Sequence, residues 1–239
     1  MEPIVVTAAT HRELALLAKT AGMEPVPELK RFPVYEGRIG ARKVVLAVSG
    51  IGKVNTAVCI TYLLERYTAG LLISTGCAGA FTGSELAVGD LAVASSEIFG
   101  EEGVLTATGW ESLKYIGIPL VEQGENRYFN ELPLSLTVTA KAMQLAGALR
   151  LPVRRGRFVT VSACSGTQAR GEELKERFHA LAENMEGAAA AQVALLYGVD
   201  CIEIRGISNM VEDRDLSRWN IPLAVEAAQR FLFKFIETL

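Results

Sequence analysis

Cysteine and histidine are scarce in this chain of 239 residues. Four cysteines and two histidines are scattered along it, and no two cysteines form a C-x-x-C pair. Zinc sites need such ligands at short, regular spacings. The sequence therefore predicts no metal site.

An excess of positive charge is also absent. Lysine and arginine number 24 against 27 aspartates and glutamates, a formal net charge of −3. A nucleic-acid-binding protein is expected to show a basic face or tail, so this class is disfavoured. No apolar run approaches about 18 residues, and the N-terminus lacks the cationic segment of a signal peptide. We therefore expect a cytoplasmic protein with no membrane partner.

Hydrophobic residues, in contrast, make up 50% of the chain, which is enough for a large core. Apolar runs predict strands at residues 4–9, 34–39, 43–49, 70–74, 91–97, 157–163 and 201–207. Helical spacing predicts helices at residues 10–22, 53–66, 134–149, 170–181, 188–197 and from 220 onwards. This alternation predicts an α/β protein with one domain, residues 1–239, in three α/β/α layers around a central mixed sheet.

Residues 99–133 are the least regular part of the sequence. The segment is rich in glycine and contains several aromatic residues. A long loop inside a compact domain is usually either functional or disordered. The aromatic content favours an ordered segment that faces a ligand or another subunit.

Candidate site residues follow the predicted strands, because ligands of open α/β sheets bind beyond the carboxyl ends of strands. These positions are Glu13, Ser49–Gly52, Thr75–Gly79, Ala163–Thr167 and Arg205–Asn209. The second of them partly matches the dinucleotide fingerprint G-x-G-x-x-G, but Asn55 stands in place of the third glycine. A nicotinamide-dependent dehydrogenase is therefore disfavoured.

Glu186 has two interpretations. It directly precedes an alanine-rich apolar helix, so its carboxylate is expected to be partly buried, which is rare unless the group is paired or ligand-bound. An ionised carboxylate accepts two hydrogen bonds side by side, which suits the vicinal hydroxyls of a ribose. The alternative is a glutamate favoured at a helix N-terminus by the helix dipole. The position alone does not separate the two.

Three further residues also have structural explanations. Glu13 stands three residues after Thr10, which is the capping-box spacing. Arg205 lies in an apolar strand and needs a carboxylate or ligand partner there. Asn209 can cap the segment that follows it.

Five segments together resemble the nucleoside phosphorylase/nucleosidase superfamily, and they lie in family order over nearly the whole chain. They are Val48–Asn55 (VSGIGKVN), Ser74–Gly79 (STGCAG), Leu86–Asp90 (LAVGD), Asn184–Gly187 (NMEG) and Ile204–Asn209 (IRGISN). A further segment, Glu101–Val104 (EEGV), resembles the futalosine hydrolase subfamily. The resemblance implies a nucleoside phosphorylase-like fold and cleavage of an N-ribosidic bond.

The resemblance also implies catalytic roles. Glu13 corresponds to the carboxylate that positions and deprotonates the attacking water, and Arg205 to an arginine near that water. Asn209 corresponds to the residue that acts on the purine ring. Glu186, which follows Met185, corresponds to the carboxylate that grips the ribose 2′- and 3′-hydroxyls.

Further substrate-binding residues follow from the same resemblance. Cys77, in the turn that ends at Gly79, occupies a position near the water or a phosphate. The segment 162–167, with Ser162 and Cys164, is expected to run beside the base. No cofactor is implied.

Two departures from the family pattern bear on the substrate. Phosphorylases of this superfamily carry an arginine at the end of the fourth strand, where Ser74 stands here, so phosphate loses a charge-assisted anchor. Relatives that act on 6-aminopurines carry aspartate at the position of Asn209. The amide cannot give up a proton, but its NH₂ group can donate to N7 and a 6-oxo oxygen.

We therefore expect hydrolysis of futalosine to hypoxanthine and dehypoxanthine futalosine, a reaction of menaquinone biosynthesis. The alternatives are a methylthioadenosine/adenosylhomocysteine nucleosidase, a purine nucleoside phosphorylase, and a non-catalytic nucleoside-binding protein, which should lack the water-positioning acid. The resemblance implies a homo-oligomer, a dimer or larger. Arg127 or Lys114 is a candidate for the carboxylate of futalosine, and Asp213 or Asp215 for a proton donor to the base.

Overall fold

In the computed structural model, which describes residues 2–239, strands and helices alternate along most of the chain. The strands are β1 (Ile4–Ala8), β2 (Glu24–Pro25), β3 (Val34–Ile39), β4 (Arg42–Val48), β5 (Leu71–Phe81), β6 (Leu91–Phe99), β7 (Gly103–Thr106), β8 (Gly109–Ser112), β9 (Val121–Gln123), β10 (Asn126–Tyr128), β11 (Glu131–Pro133), β12 (Val153–Thr160), β13 (Ala180–Asn184) and β14 (Asp200–Val211). The α-helices are α1 (Ala15–Thr20), α2 (Lys53–Leu64), α3 (Leu113–Ile116), α4 (Leu136–Ala148), α5 (Gln168–Phe178), α6 (Gly187–Tyr197) and α7 (Ile221–Glu237). Two short 3-10 turns cover His11–Glu13 and Leu216–Arg218.

The main sheet of the described chain has ten strands and mixed polarity. Its order is β11-β6-β12-β13-β5-β1-β4-β3-β2, and β14 pairs with both β5 and β6. Strand β1 runs parallel to β4 and β5, whereas β13 is antiparallel to β5 and β14 is antiparallel to β6. The predicted mixed sheet is confirmed. Because β14 connects β5 to β6, this half of the sheet closes into a ring, a feature that the sequence did not indicate.

Helices cover both faces of the sheet, as predicted. One apolar cluster includes Cys59 of α2 and Ala190 of α6, and a second includes Leu17 of α1, Ala142 of α4 and Phe231 of α7. Burial of these faces removes apolar surface from water, which is the main favourable term in folding. Within residues 2–239, no helix combines the length and apolar character needed to cross a bilayer.

The segment 99–133 is ordered, as its aromatic content suggested. It contains two small antiparallel pairs, β7 with β8 and β9 with β10, separated by the short helix α3. Strand β11 then joins the main sheet beside β6. The segment is thus built from strands and a helix of three or four residues each, which are too short to show a hydrophobic periodicity in the sequence.

Strands β5 and β14 continue beyond their predicted ends at residues 74 and 207. They run in parallel to Phe81 and Val211, with Asn209 opposite Gly79. A Cβ on Gly79 would lie 2.9 Å from Val211 Cγ2 and 3.1 Å from Asn209 Nδ2, so glycine allows this close pairing. Site residues such as Cys77 and Asn209, which were expected to follow the ends of strands, therefore lie within β5 and β14.

Strand β13 was not predicted, since its sequence Ala-Leu-Ala-Glu-Asn continues the helical pattern of residues 170–181. The helix ends earlier because His179 adopts a left-handed backbone with φ of 50°. The error matters for the site, because β13 carries Glu183 and Asn184 to it.

Candidate active site

One cavity of about 280 Å³ contains most of the predicted site residues. Its wall includes Glu13, Cys77, Gly79, Cys164, Met185, Glu186, Arg205 and Asn209. Ser162 is not part of this wall. It is exposed, and its backbone N–H donates to Glu101 Oε2 at 2.5 Å. We call Glu13, Arg205 and Glu186 the charged end of the cavity, and Glu183, Ser208 and Asn209 the amide end.

Glu13 is buried and held by three donors. The chain leaves β1, turns at Thr10, and brings the carboxylate back so that Oε2 accepts from Thr10 N at 2.9 Å and Thr10 Oγ1 at 2.8 Å. Glu13 Oε1 accepts from Cys77 N at 3.0 Å. The capping-box spacing therefore does form the expected bond to Thr10 N. The same carboxylate also lines the cavity, so the two interpretations of Glu13 are compatible.

Gly76 allows Glu13 and Arg205 to approach each other at the charged end. It was not among the residues selected individually from the sequence. Its φ is +149°, and a Cβ there would lie 2.5 Å from Glu13 Oε1 and 2.9 Å from Arg205 Nη1. Any other residue would push apart the two charged groups. Because the predicted strand ends at residue 74, Gly76 was expected in a turn, and its close approach to the two charged groups becomes visible only when β5 continues to Phe81.

Arg205 is buried in β14 and finds carboxylate partners, as its position required. Its Nε donates to Glu203 Oε1 at 2.6 Å, and its Nη1 donates to Cys77 O at 3.0 Å and to Glu186 Oε2 at 3.2 Å. Burial works against the charge of Arg205, but the carboxylates of Glu203 and Glu186 raise its pKa above the usual range. The guanidinium is therefore permanently charged, and its Nη2 has no hydrogen-bond partner within residues 2–239.

Glu186 points into the cavity. It occupies the N-cap position of α6, but its side chain makes no cap bond. Asn184 Oδ1 instead accepts from Glu186 N at 2.9 Å and from Gly187 N, the first N–H of α6, at 2.7 Å. The Glu186 carboxylate is thereby free to accept from Gly52 N at 3.0 Å and from Arg205. Its position at the N-terminus of α6 also agrees with the helix-dipole interpretation, and the two interpretations of Glu186 are compatible.

The amide end is neutral around Asn209. The Ser208 hydroxyl donates to Asn209 Oδ1 at 2.8 Å, and Asn209 Nδ2 donates to Met210 O at 3.1 Å. An amide nitrogen has two hydrogens, so one remains for a ligand. Because Asn209 lies within β14, it does not cap a following segment.

Glu183 is the ionisable group of the amide end, and the sequence analysis did not select it. It is buried on β13, and its two oxygens accept from Ser165 N at 2.9 Å and Ser165 Oγ at 2.6 Å. Burial is the main cause that raises its pKa. Its place directly before the segment Asn184–Gly187 was a signal, but the missed strand β13 concealed the direction of its side chain.

The two cysteines of the wall are protonated thiols at neutral pH. Burial, with a smaller contribution from Glu13, raises the pKa of Cys77 to about 11. Burial and the charge of Glu183 also raise the pKa of Cys164. Since the thiolate is the reactive form, neither is a nucleophile under these conditions.

Several other candidates lie away from the cavity. Arg127 and Lys114 line a different one, and Arg127 Nε donates to Glu122 Oε1 at 3.0 Å. Asp213 accepts from Gln168 N and Asp215 from Ser217 N, and neither carboxylate is part of the wall around Glu186. Among residues 2–239, no group of three or more His, Cys, Asp and Glu side chains is arranged to hold a metal ion.

The charges of the cavity wall favour a ligand without negative charge. At the charged end, two carboxylates share one guanidinium, so an added anion would meet negative charge as well as the cation. A neutral ligand with hydroxyl groups at this end and hydrogen-bond acceptors at the amide end matches the donors and acceptors present.

Comparisons with known proteins agree with this architecture. The family model described as the phosphorylase superfamily matches residues 3–237. Futalosine hydrolase of Thermus thermophilus is 34% identical over 199 residues, which cover 83% of each chain. A 5′-methylthioadenosine/S-adenosylhomocysteine nucleosidase of Maridesulfovibrio salexigens is 32% identical over 211 residues, 88% of this chain and 87% of the relative. The structure of a futalosine hydrolase mutant of Helicobacter pylori covers all of both chains with a TM-score of 0.86 at 23% identity, which shows the shared fold.

Proposed function

Since this chain belongs to the phosphorylase superfamily, we propose that it hydrolyses the N-ribosidic bond of futalosine and releases hypoxanthine and dehypoxanthine futalosine. Within the family it is a nucleosidase, an N-glycosyl hydrolase like the two relatives described above. The reaction on futalosine would belong to menaquinone biosynthesis.

The observation that carries the proposal is the uncharged Asn209 in the same cavity as Glu186. The Ser208 hydroxyl donates to Asn209 Oδ1, and Asn209 Nδ2 keeps one hydrogen that it can donate to a base. N7 and the 6-oxo oxygen of hypoxanthine are both acceptors, so either of them can accept this hydrogen. A 6-amino group would present a donor to a donor, a mismatch of about 1–3 kcal/mol.

The charged end suits the sugar and the water. Glu186 Oε1 and Oε2 each receive one hydrogen bond from the protein and keep capacity to accept from the ribose 2′- and 3′-hydroxyls. Within residues 2–239, Glu13 Oε1 has only Cys77 N as a donor, so it can accept a hydrogen bond from a water molecule beside Arg205. The ribose is thus held between an orienting carboxylate and a basic one.

In the proposed reaction, water attacks the anomeric carbon while the bond to the purine nitrogen breaks. Glu13 takes one proton from the water, whose oxygen becomes the new anomeric hydroxyl. The bonding electrons leave with the base, and Asn209 stabilises the charge that develops there. The departing base also takes up one proton, and Glu183 is the ionisable group beside Asn209 that can hold it.

Water is favoured over phosphate as the nucleophile. The position at which phosphorylases carry an arginine is Ser74, which is buried in β5. The arginines of the cavity wall are Arg205 and Arg214, and Arg205 already pairs with Glu203 and Glu186. A phosphate would find no cradle of free cations near the anomeric carbon.

A second copy of the chain is the expected partner. Beside the cavity, Ile51, Val54 and Val58 are each at least half exposed to solvent. Contiguous exposed apolar surface of this kind is typical of a protein interface. We therefore propose a homo-oligomer whose subunits meet near the cavity mouth.

A methylthioadenosine/adenosylhomocysteine nucleosidase is the second candidate. The 32% identity to a relative of that name favours it. The amide of Asn209 disfavours it, because its NH₂ group and the 6-amino group of an adenine would meet as donor against donor.

An assay of free base separates these candidates. Purified protein is incubated with futalosine, inosine and methylthioadenosine, each with and without phosphate. We expect hypoxanthine from futalosine at a rate that phosphate does not change, and little adenine from methylthioadenosine. Faster release of adenine would support the second candidate, and release that requires phosphate would indicate a phosphorylase.

A further inference from the structure

Two fully buried carboxylates, Glu97 of β6 and Glu203 of β14, meet behind the charged end of the cavity. Both residues have 0% of their surface exposed to solvent. A Cβ on Gly187 would collide with both Glu203 Oε2 and Glu97 Oε1, so these two oxygens lie together beneath the first residue of α6. Gly187 is therefore the residue that lets the two acids meet directly behind Glu186.

The hydrogen-bond partners of this pair are unequal. Glu203 Oε1 accepts from Arg205 Nε, but Glu203 Oε2 has no partner within residues 2–239. Glu97 Oε2 accepts from Thr160 Oγ1 at 2.7 Å, and Glu97 Oε1 accepts from Asn184 Nδ2 at 2.9 Å. Only Glu203 contacts a cation. A proton on Glu97 Oε1, donated to Glu203 Oε2, would satisfy the unpartnered oxygen and remove the repulsion.

The surroundings decide which acid is neutral. Burial, and next the charge of Glu203, hold the pKa of Glu97 well above its usual range, against smaller opposing effects of Thr160 and Arg205. The other titratable group facing the pair is Cys201, whose pKa is raised by burial and by both carboxylates, so its thiol stays protonated. Glu97 is therefore the acid of the pair that holds the proton.

We propose that Glu97 and Glu203 share one proton and act as a positioning unit for Arg205 and Glu186. This inference uses the residue roles of the proposed function. Glu203 holds the guanidinium, whose Nη1 donates to Glu186 Oε2. Glu97 accepts from Asn184, whose Oδ1 accepts from Glu186 N.

Two chains of hydrogen bonds thus run from the pair to the residue that orients the ribose, one through its side chain and one through its backbone. Loss of the shared proton places a second negative charge in this interior. Hydrolysis is then expected to decline at alkaline pH, because Arg205 is drawn between two anions and its contact with Glu186 weakens.

Infrared spectroscopy tests the shared proton without any substrate. The protein is measured with the Glu183→Gln substitution, which removes the other buried acid of raised pKa. We expect a carbonyl band of a protonated carboxylic acid at neutral pH, lost when Glu97→Gln is added and shifted in frequency when Glu203→Gln is added, because the acceptor of its hydrogen bond then changes. Absence of the band, its persistence after Glu97→Gln, or an unshifted band after Glu203→Gln would overturn the inference. Failure of the protein to cleave futalosine would leave this readout unchanged.

The pH profile of kcat/KM tests the positioning role, with whichever nucleoside the wild type cleaves. The amide of Glu97→Gln donates to Glu203 as the acid does but loses the bond from Asn184, so activity at neutral pH should stay within about tenfold. With Glu183→Gln present in both proteins, which removes the pH dependence expected of Glu183, the alkaline decline should lie at higher pH with Glu97→Gln than without it. Glu203→Gln, which removes the charge beside Arg205, should lower kcat roughly 10- to 100-fold with less effect on KM.

An unchanged alkaline decline in Glu97→Gln would contradict the role, as would full activity of Glu203→Gln. Thermal unfolding supplies a second check. An acid whose pKa is raised by folding loses stabilisation as pH rises above the usual glutamate range. The midpoint of Glu97→Gln should therefore gain on the wild type as pH increases, and a constant difference would argue against a neutral Glu97.

Discussion

The two ends of the cavity are built differently. At the charged end, Glu13, Arg205 and Glu186 are fixed by several hydrogen bonds each, from backbone groups and from one another. At the amide end, Asn209 has one partner for each polar atom and keeps a free hydrogen. Chemistry shared by a whole family needs rigid placement, whereas substrate choice needs one exchangeable group. In the proposed function, the charged end therefore holds the ribose and the water, whereas the amide end selects the base and stabilises its departure.

Glu13→Gln, at the charged end, is expected to have the largest effect on activity. The substitution keeps the shape of the side chain but removes the base, so kcat should fall about 100- to 10,000-fold while KM changes little. Steady-state kinetics with futalosine measure both constants. Glu226→Gln, on the exposed face of α7, serves as the control and should be silent. Activity within tenfold of the wild type would remove Glu13 from the mechanism.

Gly76→Ala tests whether the charged end needs its close packing. The added Cβ would meet Glu13 Oε1 and Arg205 Nη1, so we expect a loss of about 2–4 kcal/mol in the free energy of unfolding and a fall in kcat. Gly109→Ala is the matched control, since Gly109 has a comparable φ of +128° but no atom within 4 Å of the new Cβ. Equal destabilisation of the two variants would show that backbone strain alone is responsible.

Asn209→Asp changes only the amide end, so it tests whether that end selects the base. A carboxyl can accept from a 6-amino group and supply a proton to N7, so the ratio of kcat/KM for futalosine to that for methylthioadenosine should fall roughly 5- to 100-fold. Asn220→Asp, at the N-terminus of α7, is the isosteric control. An unchanged ratio would mean that Asn209 does not face position 6 of the purine.

Glu183→Gln is expected to have the smallest effect at neutral pH. If the protonated carboxyl assists departure of the base, the raised pKa keeps this form populated to higher pH than in a free glutamate, and activity falls as pH rises through that pKa. The variant should lose this pH-dependent component and a few-fold in kcat. A pH profile identical to the wild type would assign Glu183 to the support of Ser165 alone.

Much of the fold was predictable, because alternation of apolar runs with helical stripes depends on local spacing. Closure of the sheet through β14 was not, since it depends on pairing between strands distant in sequence. Strand β13 was missed because Ala180–Asn184 has helical composition and only the left-handed His179 separates it from α5.

The site residues likewise separate into those that the sequence indicates and those that only the folded chain reveals. Residues such as Glu13 and Glu186 were found because a known family pattern surrounds them. Glu97 and Glu203 were not found, because their importance arises only when β6 and β14 pair and bury both acids. Burial of a carboxylate is a tertiary property that one sequence does not display.

The most direct test of the division between the two ends is a crystal structure of the Glu13→Gln variant with futalosine bound. Our account predicts that both ribose hydroxyls contact the Glu186 carboxylate, while Asn209 Nδ2 donates to N7 or the 6-oxo oxygen of the base. A base that lies away from Asn209, or a ribose that does not reach Glu186, would contradict it.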